Sequence, residues 1–243
     1  MKIILPHVFF SVACFLLPVV SFSSSARGLE AEDKYTRQRL EMVEEQIVAR
    51  GVKSPKVLEA MRTIPRHLFV PEEYKKYGYE DQPLPIGSGQ TISQPYIVAL
   101  MTELLEVDGN SVALEVGTGS GYQAAVLSKI VKQVYTIEII QELGIKAKKR
   151  LEEMKYSNVE VKVGDGYYGW PEHAPFDAII VTAVANHIPP PLIQQLKPGG
   201  RMAIPIGSVF QVQNLMLVTK DKDEKITVKN VLPVRFVPLI GKH

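Results

Sequence analysis

VALEVGTGSGY, residues Val112 to Tyr122, reads as a short apolar strand over 112–116 that ends in a tight turn with glycine at 117, 119 and 121, ahead of a helical run over 124–130. Glycine takes positive φ at no steric cost and lets a ligand approach the backbone, while the first turn of the next helix offers N–H groups with no partner inside the helix. A nucleotide-type cofactor loop is expected. A glycine-rich βα turn without a ligand is the alternative, because a glycine motif alone is weakly specific.

The spacing narrows the choice. A dinucleotide fingerprint is G-x-G-x-x-G, wrapped around a pyrophosphate, whereas Gly117, Gly119 and Gly121 form G-x-G-x-G with Glu115 just ahead of them. A carboxylate there repels a pyrophosphate and suits an ammonium group, so a zwitterionic cofactor such as S-adenosylmethionine fits better than NAD. A second strand over 134–137 ends in Glu138, placed to accept hydrogen bonds from ribose hydroxyls. A third over 159–163 runs into Gly164-Asp165-Gly166, where flanking glycines let Asp165 reach a ligand edge, expected near the adenine. Each acid alone could be a solvated loop residue. Three of them at consecutive strand ends fit the ligand crevice of an open α/β sheet.

The remaining pattern supplies the rest of such a sheet. Amphipathic helices are expected over 34–50, with Leu40, Val43, Ile47 and Val48 at helical spacing, and over 55–61 after Ser54-Pro55. Tyr74, Tyr77 and Tyr79 stand in a proline-punctuated segment, where half-buried packing is favoured over a substrate groove. The stretch GSGQTISQP (87–95) is a polar loop before a helix over 96–105; Gln90, Thr91, Ser93 and Gln94 place hydroxyls and amides where an anion is favoured, with simple helix capping as the alternative. A strand over 176–182, a helix over 190–196, a turn over 197–200 and a strand over 201–206 continue the alternation, and strands over 214–219 and 227–236 form a terminal hairpin. The expected fold class is α/β: a Rossmann-like, doubly wound, mostly parallel sheet of about seven strands, with helices on both faces and an antiparallel C-terminal hairpin.

Composition sets bounds. The 243 residues are 46% hydrophobic and 22% charged, enough for a sizeable core, and the net charge of +2 leaves no nucleic-acid footprint. The basic run 146–150 reads as a solvated helix face. Cys14 is the single cysteine, which excludes an internal disulfide, a redox pair and a cysteine metal cluster; no metal site is expected. Residues 1–26 resemble a signal-like leader, with Lys2 ahead of the apolar stretch 3–22, and residues 27–243 form one domain: 27–110 for N-terminal helices and substrate loop, 111–207 for the cofactor core, 208–243 for the hairpin. His67, His173 and His187 fall in separate segments and read as surface or capping residues.

Taken together, GQTISQP (89–95), LEVGTGSGYQ (114–123), GDGYYGW (164–170), APFDAIIVTA (174–183), QLKPGGR (195–201) and VRFVPL (234–239) resemble the protein-L-isoaspartate O-methyltransferases, over about residues 34–239. The leader and Val184-Ala185-Asn186-His187 depart from that pattern. The resemblance implies methyl transfer from S-adenosylmethionine to the free α-carboxylate of L-isoaspartyl residues in damaged proteins and peptides, beginning repair to aspartate through a succinimide. It also implies Ser93 as the active-site residue, with Thr91 and Gln94 shaping the substrate loop, and Glu115, Gly117, Gly119, Gly121, Glu138, Gly164 and Asp165 around the cofactor.

The residues leave three other readings open: a related methyltransferase with a small-molecule acceptor, an NAD-linked oxidoreductase, and an exported binding protein that keeps the fold. A monomer is expected. Membrane contact is expected only through a retained leader, and the cytoplasm is preferred over a periplasmic or membrane-associated location because the methyl donor is made there and its charges oppose membrane passage.

Overall fold

The computed structural model of the protein describes Lys2 and residues 34–208 and 210–241; the leader expected over 1–26 therefore lies outside the described residues except for Lys2. The chain divides into units of residues 1–34 and 35–243, and the sheet lies in the second. Its elements are α1 (residues 35–50), α2 (Pro55–Thr63), β1 (Leu84–Gly87), β2 (Gln90–Ile92), α3 (Pro95–Leu104), β3 (Val112–Val116), α4 (Tyr122–Ser128), β4 (Gln133–Glu138) and α5 (Gln141–Glu153). They continue as β5 (Val159–Val163), β6 (Phe176–Val181), α6 (Pro190–Gln195), β7 (Leu196–Ile206), β8 (Gln213–Lys220) and β9 (Ile226–Val234).

Seven strands form one sheet in the order β5-β4-β3-β6-β7-β8-β9. The first five are parallel, β8 adds antiparallel to β7, and β9 adds antiparallel to β8. Strand order reverses beside β3, with β4 and β5 on one side and β6 and β7 on the other. That switch point leaves a crevice past the C-terminal ends of β3, β4 and β6. The apolar run of β6 is buried on both faces, as a central parallel strand requires. Along β3 the side chains alternate: Ala113 joins the core under α1 to α4, while Leu114 and Val116 join the core on the opposite face with Leu192 of α6.

Several expectations shift locally. In α1 the turn widens to a π-helix over Met42–Ile47 and tightens to 3-10 over Val48–Arg50. The extra residue per π turn moves the buried face to Met42, Val43 and Ile47, and the expected core residues Leu40 and Val48 turn outward, at 43% and 37% exposure. Lys197 to Gly200 do not interrupt β7; the strand absorbs them as an irregularity in its pairing with β6, with Gly199 at φ +84°. The polar loop expected over 87–95 is partly an antiparallel hairpin of β1 and β2, whose turn residues Ser88 and Gly89 have φ of 52° and 71°.

His67 is not a surface residue. It is buried, its ring stacks on Tyr35 at 4.0 Å, and its Nδ1 lies 2.7 Å from the Tyr79 hydroxyl. Burial, reinforced by the positive charges of Arg39 and Lys75, lowers its pKa to about 4. Tyr79 packs in the same core and Tyr74 and Tyr77 against it, as the packing reading expects. His173 stacks on Tyr135 at 3.8 Å, and His187, exposed, lies 3.1 Å from the Tyr167 hydroxyl. Lys146, Lys148 and Lys149 are solvated, but Arg150 turns inward and donates to the Ser120 carbonyl at 2.7 Å. No helix among the described residues is long and apolar enough to cross a membrane.

Leu114, fully buried in the central strand, has no room to be compensated locally. Leu114→Ala is expected to cost about 2–5 kcal/mol of stability through lost burial and the cavity left behind, measured by denaturant unfolding.

Candidate active site

The glycine turn is held by its own chain rather than left open. Gly117, Gly119 and Gly121 have φ of 98°, 52° and 87°, which only glycine adopts freely. The amides of Gly117 and Thr118 both donate to the Ile137 carbonyl at 2.8 and 3.2 Å, and Gly119 N donates to Glu138 Oε2 at 2.8 Å. Gly121 N donates to the Thr118 carbonyl and Tyr122 N to Ser120 Oγ. The unpaired amides expected of this loop are thus mostly consumed within the protein. A turn with its N–H groups already spent is a poor pyrophosphate cradle and suits a cofactor without phosphate.

The three acids differ in environment. Glu138 is buried at the tip of β4, with Oε2 on Gly119 N and Oε1 on Ile140 N at 2.9 Å. Each oxygen keeps a second lone pair for a ribose hydroxyl. Asp165 is half-buried, and its Oδ1 accepts from Tyr167 N at 3.0 Å, capping the short turn Gly166–Tyr168. Gly166 lines the donor groove beside it, and Gly164 N donates to the Glu138 carbonyl at 2.9 Å, tying the ends of β4 and β5 together.

Glu115 lies one residue inside the end of β3 and is 0% exposed. Thr136 donates its hydroxyl to Glu115 Oε2 at 2.6 Å, and Thr118 lies 2.7 Å from Thr136 Oγ1. With Glu115 ionised, Thr136 spends its proton on Oε2 and Thr118 is the donor in that second bond. Glu115 Oε1 is buried without a partner. Burial, opposed by the Thr136 bond and reinforced by the nearby Glu138 charge, pushes the Glu115 carboxyl up to about 8.

Two cavities meet beside the turn. The donor groove is narrow, about 50 Å³, and runs over Gly117, Gly119, Glu138, Gly166 and the C-terminal segment Val237, Pro238 and Leu239. The second cavity, about 390 Å³, lies among Ser93, Gln94, Ile97, Arg50 and residues 232–237. Ser93 also faces a small cavity shared with Glu115 and Gly119. Among the described residues its hydroxyl makes no hydrogen bond, and Gln94, at the N-cap of α3, makes no side-chain capping bond. Gln94 Nε2 instead holds the Asp81 carbonyl at 3.1 Å. Thr91 is exposed and lines all three cavities, so the loop residues expected to act together do converge.

Sequence reasoning missed three contributors. Thr182, just past β6, is the other residue common to all three cavities. Its Oγ1 donates to the Gly117 carbonyl at 2.7 Å and its N to the Val116 carbonyl at 2.9 Å, so it fixes the turn from the far side. A hydroxyl residue at the C-terminal end of an apolar central strand was the available signal. Arg50, stacked 3.5 Å over Tyr96 and paired with Asp81 at 2.7 Å, lines the second cavity, and nothing in a helical pattern marks it. Gln213 receives Phe236 N at Oε1 and donates from Nε2 to Phe236 O at 3.1 Å, clamping the cavity wall.

Comparison with known proteins agrees with this geometry. The family model for protein-L-isoaspartate(D-aspartate) O-methyltransferase matches residues 37–243. Protein-L-isoaspartate O-methyltransferase 2 of Syntrophobacter fumaroxidans is 52% identical over 244 residues, covering 96% of this chain and 98% of that one. The protein of the same name from Nitrosococcus oceani is 61% identical over 188 residues, covering 77% and 85%. Among solved structures, a protein-L-isoaspartate O-methyltransferase superposes with a TM-score of 0.76 at 32% identity, covering 85% of this chain and 66% of that one. A Plasmodium falciparum protein described as a putative protein-L-isoaspartate O-methyltransferase, in complex with S-adenosyl-L-homocysteine, gives a TM-score of 0.71 at 26% identity, covering 83% and 98%.

Two outcomes follow from the clamped turn and the buried acid. A Cβ at Gly117 would collide with Thr182 Oγ1 at a φ of 98°, so Gly117→Ala should lower stability by about 1–3 kcal/mol. Thermal unfolding should show part of that loss recovered in Gly117→Ala with Thr182→Ala. Glu115 titrates higher folded than unfolded, so its contribution to stability is full below about pH 4.5 and is lost as pH rises through about 8. Unfolding free energy measured across that window should be flatter with pH in Glu115→Gln than in the unaltered protein.

Proposed function

The chain belongs to the protein-L-isoaspartate O-methyltransferase family, and on that premise we propose that it methylates the free α-carboxylate of L-isoaspartyl residues in damaged proteins and peptides, using S-adenosylmethionine. The observation that carries this reading is the shared wall: Thr91 and Thr182 border both the donor groove and the cavity that contains Ser93. A methyl group crossing from one substrate to the other has that short path.

The donor side fits a ligand that carries an adenosine at one end and an ammonium at the other. Glu138, on the groove wall, accepts from the ribose hydroxyls; Gly164 and Asp165, next in the chain to Gly166 of that wall, are assigned to the adenine; and the unpartnered, fully buried Oε1 of Glu115, in the adjoining small cavity, is the acceptor for the ammonium. When bound, S-adenosylmethionine supplies a methyl group activated by a sulfonium centre. The protein's residues then have little covalent work to do. An α-carboxylate is already ionised near neutral pH, so no general base is needed, and among the described residues no cluster of metal-ligating side chains stands ready for metal-assisted chemistry.

On the acceptor side the Ser93 hydroxyl, uncommitted within the protein, donates to the substrate carboxylate and fixes its line of approach. Thr91 and Gln94 shape the same loop, and Gln94 holds it to Asp81. Orientation of this kind contributes up to about 7–11 kcal/mol. In the methyl ester, the following backbone nitrogen attacks the activated carbonyl, methanol leaves, and the succinimide hydrolyses partly to normal aspartate. We place this reaction in the cytoplasm, where the charged donor is made, and expect the protein to act as a monomer.

Transfer of labelled methyl to an isoaspartyl peptide, with the aspartyl isomer as control, tests the activity. Transfer to the isoaspartyl form alone is expected, and equal or absent transfer would overturn the reading. Ser93→Ala should lower turnover by roughly 10–100-fold, the loss of one hydrogen bond to a charged group, while S-adenosylhomocysteine affinity stays nearly unchanged.

A further inference from the structure

Glu115 carries more than a place to seat an ammonium. Its side chain is 0% exposed and lines the small cavity between the glycine turn and the Ser93 loop. In the ionised form Thr118 donates to Thr136 and Thr136 donates to Oε2; in the neutral form a proton on Oε2 can donate back along the same 2.6 Å contact, because both threonine hydroxyls can reverse. In either form Oε1 has no partner within the protein, and it is the atom the ligand meets.

The groups around Glu115 offer no compensating charge. From β4 come Thr136 and the acidic Glu138, from the turn Thr118 and Ser120, and from α4 Gln123 and Tyr122, whose hydroxyl points to Met61 Sδ at 3.7 Å. Across the cavity stand Thr91, Ser93 and Thr182, and no Lys or Arg lines it. Arg150 reaches only the carbonyl of Ser120, from α5. A carboxylate with neither a cation nor solvent is strongly disfavoured, so the free protein holds Glu115 as the neutral acid. A raised carboxyl pKa of about 8 agrees with this.

We propose that seating the donor's ammonium in this cavity expels the carboxyl proton of Glu115 to solvent, so that the site exchanges a proton for the ligand's cation. The physical reason is charge: an ammonium brought against the partnerless Oε1, in a cavity that no Lys or Arg lines, favours the carboxylate over the neutral acid, and loss of the carboxyl proton turns the contact into a charge-assisted bond. The ammonium keeps its three hydrogens, the carboxyl O–H bond breaks with its electron pair left on the carboxylate, and Thr136 donates its hydroxyl to Oε2. This inference rests on the proposed donor site, and it adds a thermodynamic signature that positioning alone lacks.

Calorimetric titration of the full chain with S-adenosylhomocysteine, near pH 7 in buffers of different ionisation enthalpy, tests it. Release of about one proton per ligand is expected, with affinity rising up to about tenfold per pH unit and levelling near pH 8. 5′-Methylthioadenosine, which lacks the amino-acid moiety, should bind without proton release, and Glu115→Gln should abolish the release seen with S-adenosylhomocysteine. Binding of S-adenosylhomocysteine with no proton release, or equal release with both ligands, would overturn the exchange while leaving the donor site intact. No binding of either ligand would overturn the donor site and the exchange together. The two-ligand comparison needs no variant, so it stands even where Glu115→Gln fails to fold.

Discussion

The glycine turn after β3 is held in a vice, and the site depends on it. Glu138 grips Gly119 N from β4, Thr182 grips the Gly117 carbonyl from the end of β6, and the Ile137 carbonyl takes the amides of Gly117 and Thr118. Each grip comes from a strand adjacent to β3 in the sheet. The parallel register of β4, β3 and β6 is therefore what sets the turn, and the turn sets both the floor of the donor groove and its boundary with the acceptor cavity. Catalysis that rests on alignment needs such a fixed reference, because errors of about 1 Å in placement cost rate heavily.

The same constraint explains an apparent liability. Burying Glu115 beneath the turn opposes folding at neutral pH, and Thr136 offsets only part of that cost. A sheet built for stability alone would place an apolar residue there, as β3 does at Leu114 and Val116. An unsatisfied acid at this position is instead the shape of a site awaiting a cation, with stability given up where a ligand returns it. Glu138, by contrast, is satisfied by backbone amides before any ligand arrives, so one acid can hold the turn while the other meets the ligand's charge.

Much of this was legible in the sequence because it rests on local rules. Strands β3 and β5 fall where the alternation and the glycine stops place them, and the loop from Thr91 to Gln94 borders the acceptor cavity as its polarity suggested. Features decided by distant partners were not legible. The π turn in α1 depends on packing that no periodicity encodes, and His67 reads as a surface residue until Tyr35 and Tyr79 close around it. Whether the loop amides were free or spent depended on Ile137 and Glu138, some twenty residues along the chain, and the importance of Thr182 appears only once β6 lies beside β3.

A crystal structure of the protein with S-adenosylhomocysteine tests the central claim most directly. The ribose hydroxyls are expected on Glu138, the ammonium within hydrogen-bond distance of Glu115 Oε1, and the sulfur beside the wall formed by Thr91 and Thr182, facing Ser93. A ligand seated with its sulfur away from that wall, or its ammonium in solvent with Glu115 Oε1 still alone, would contradict it.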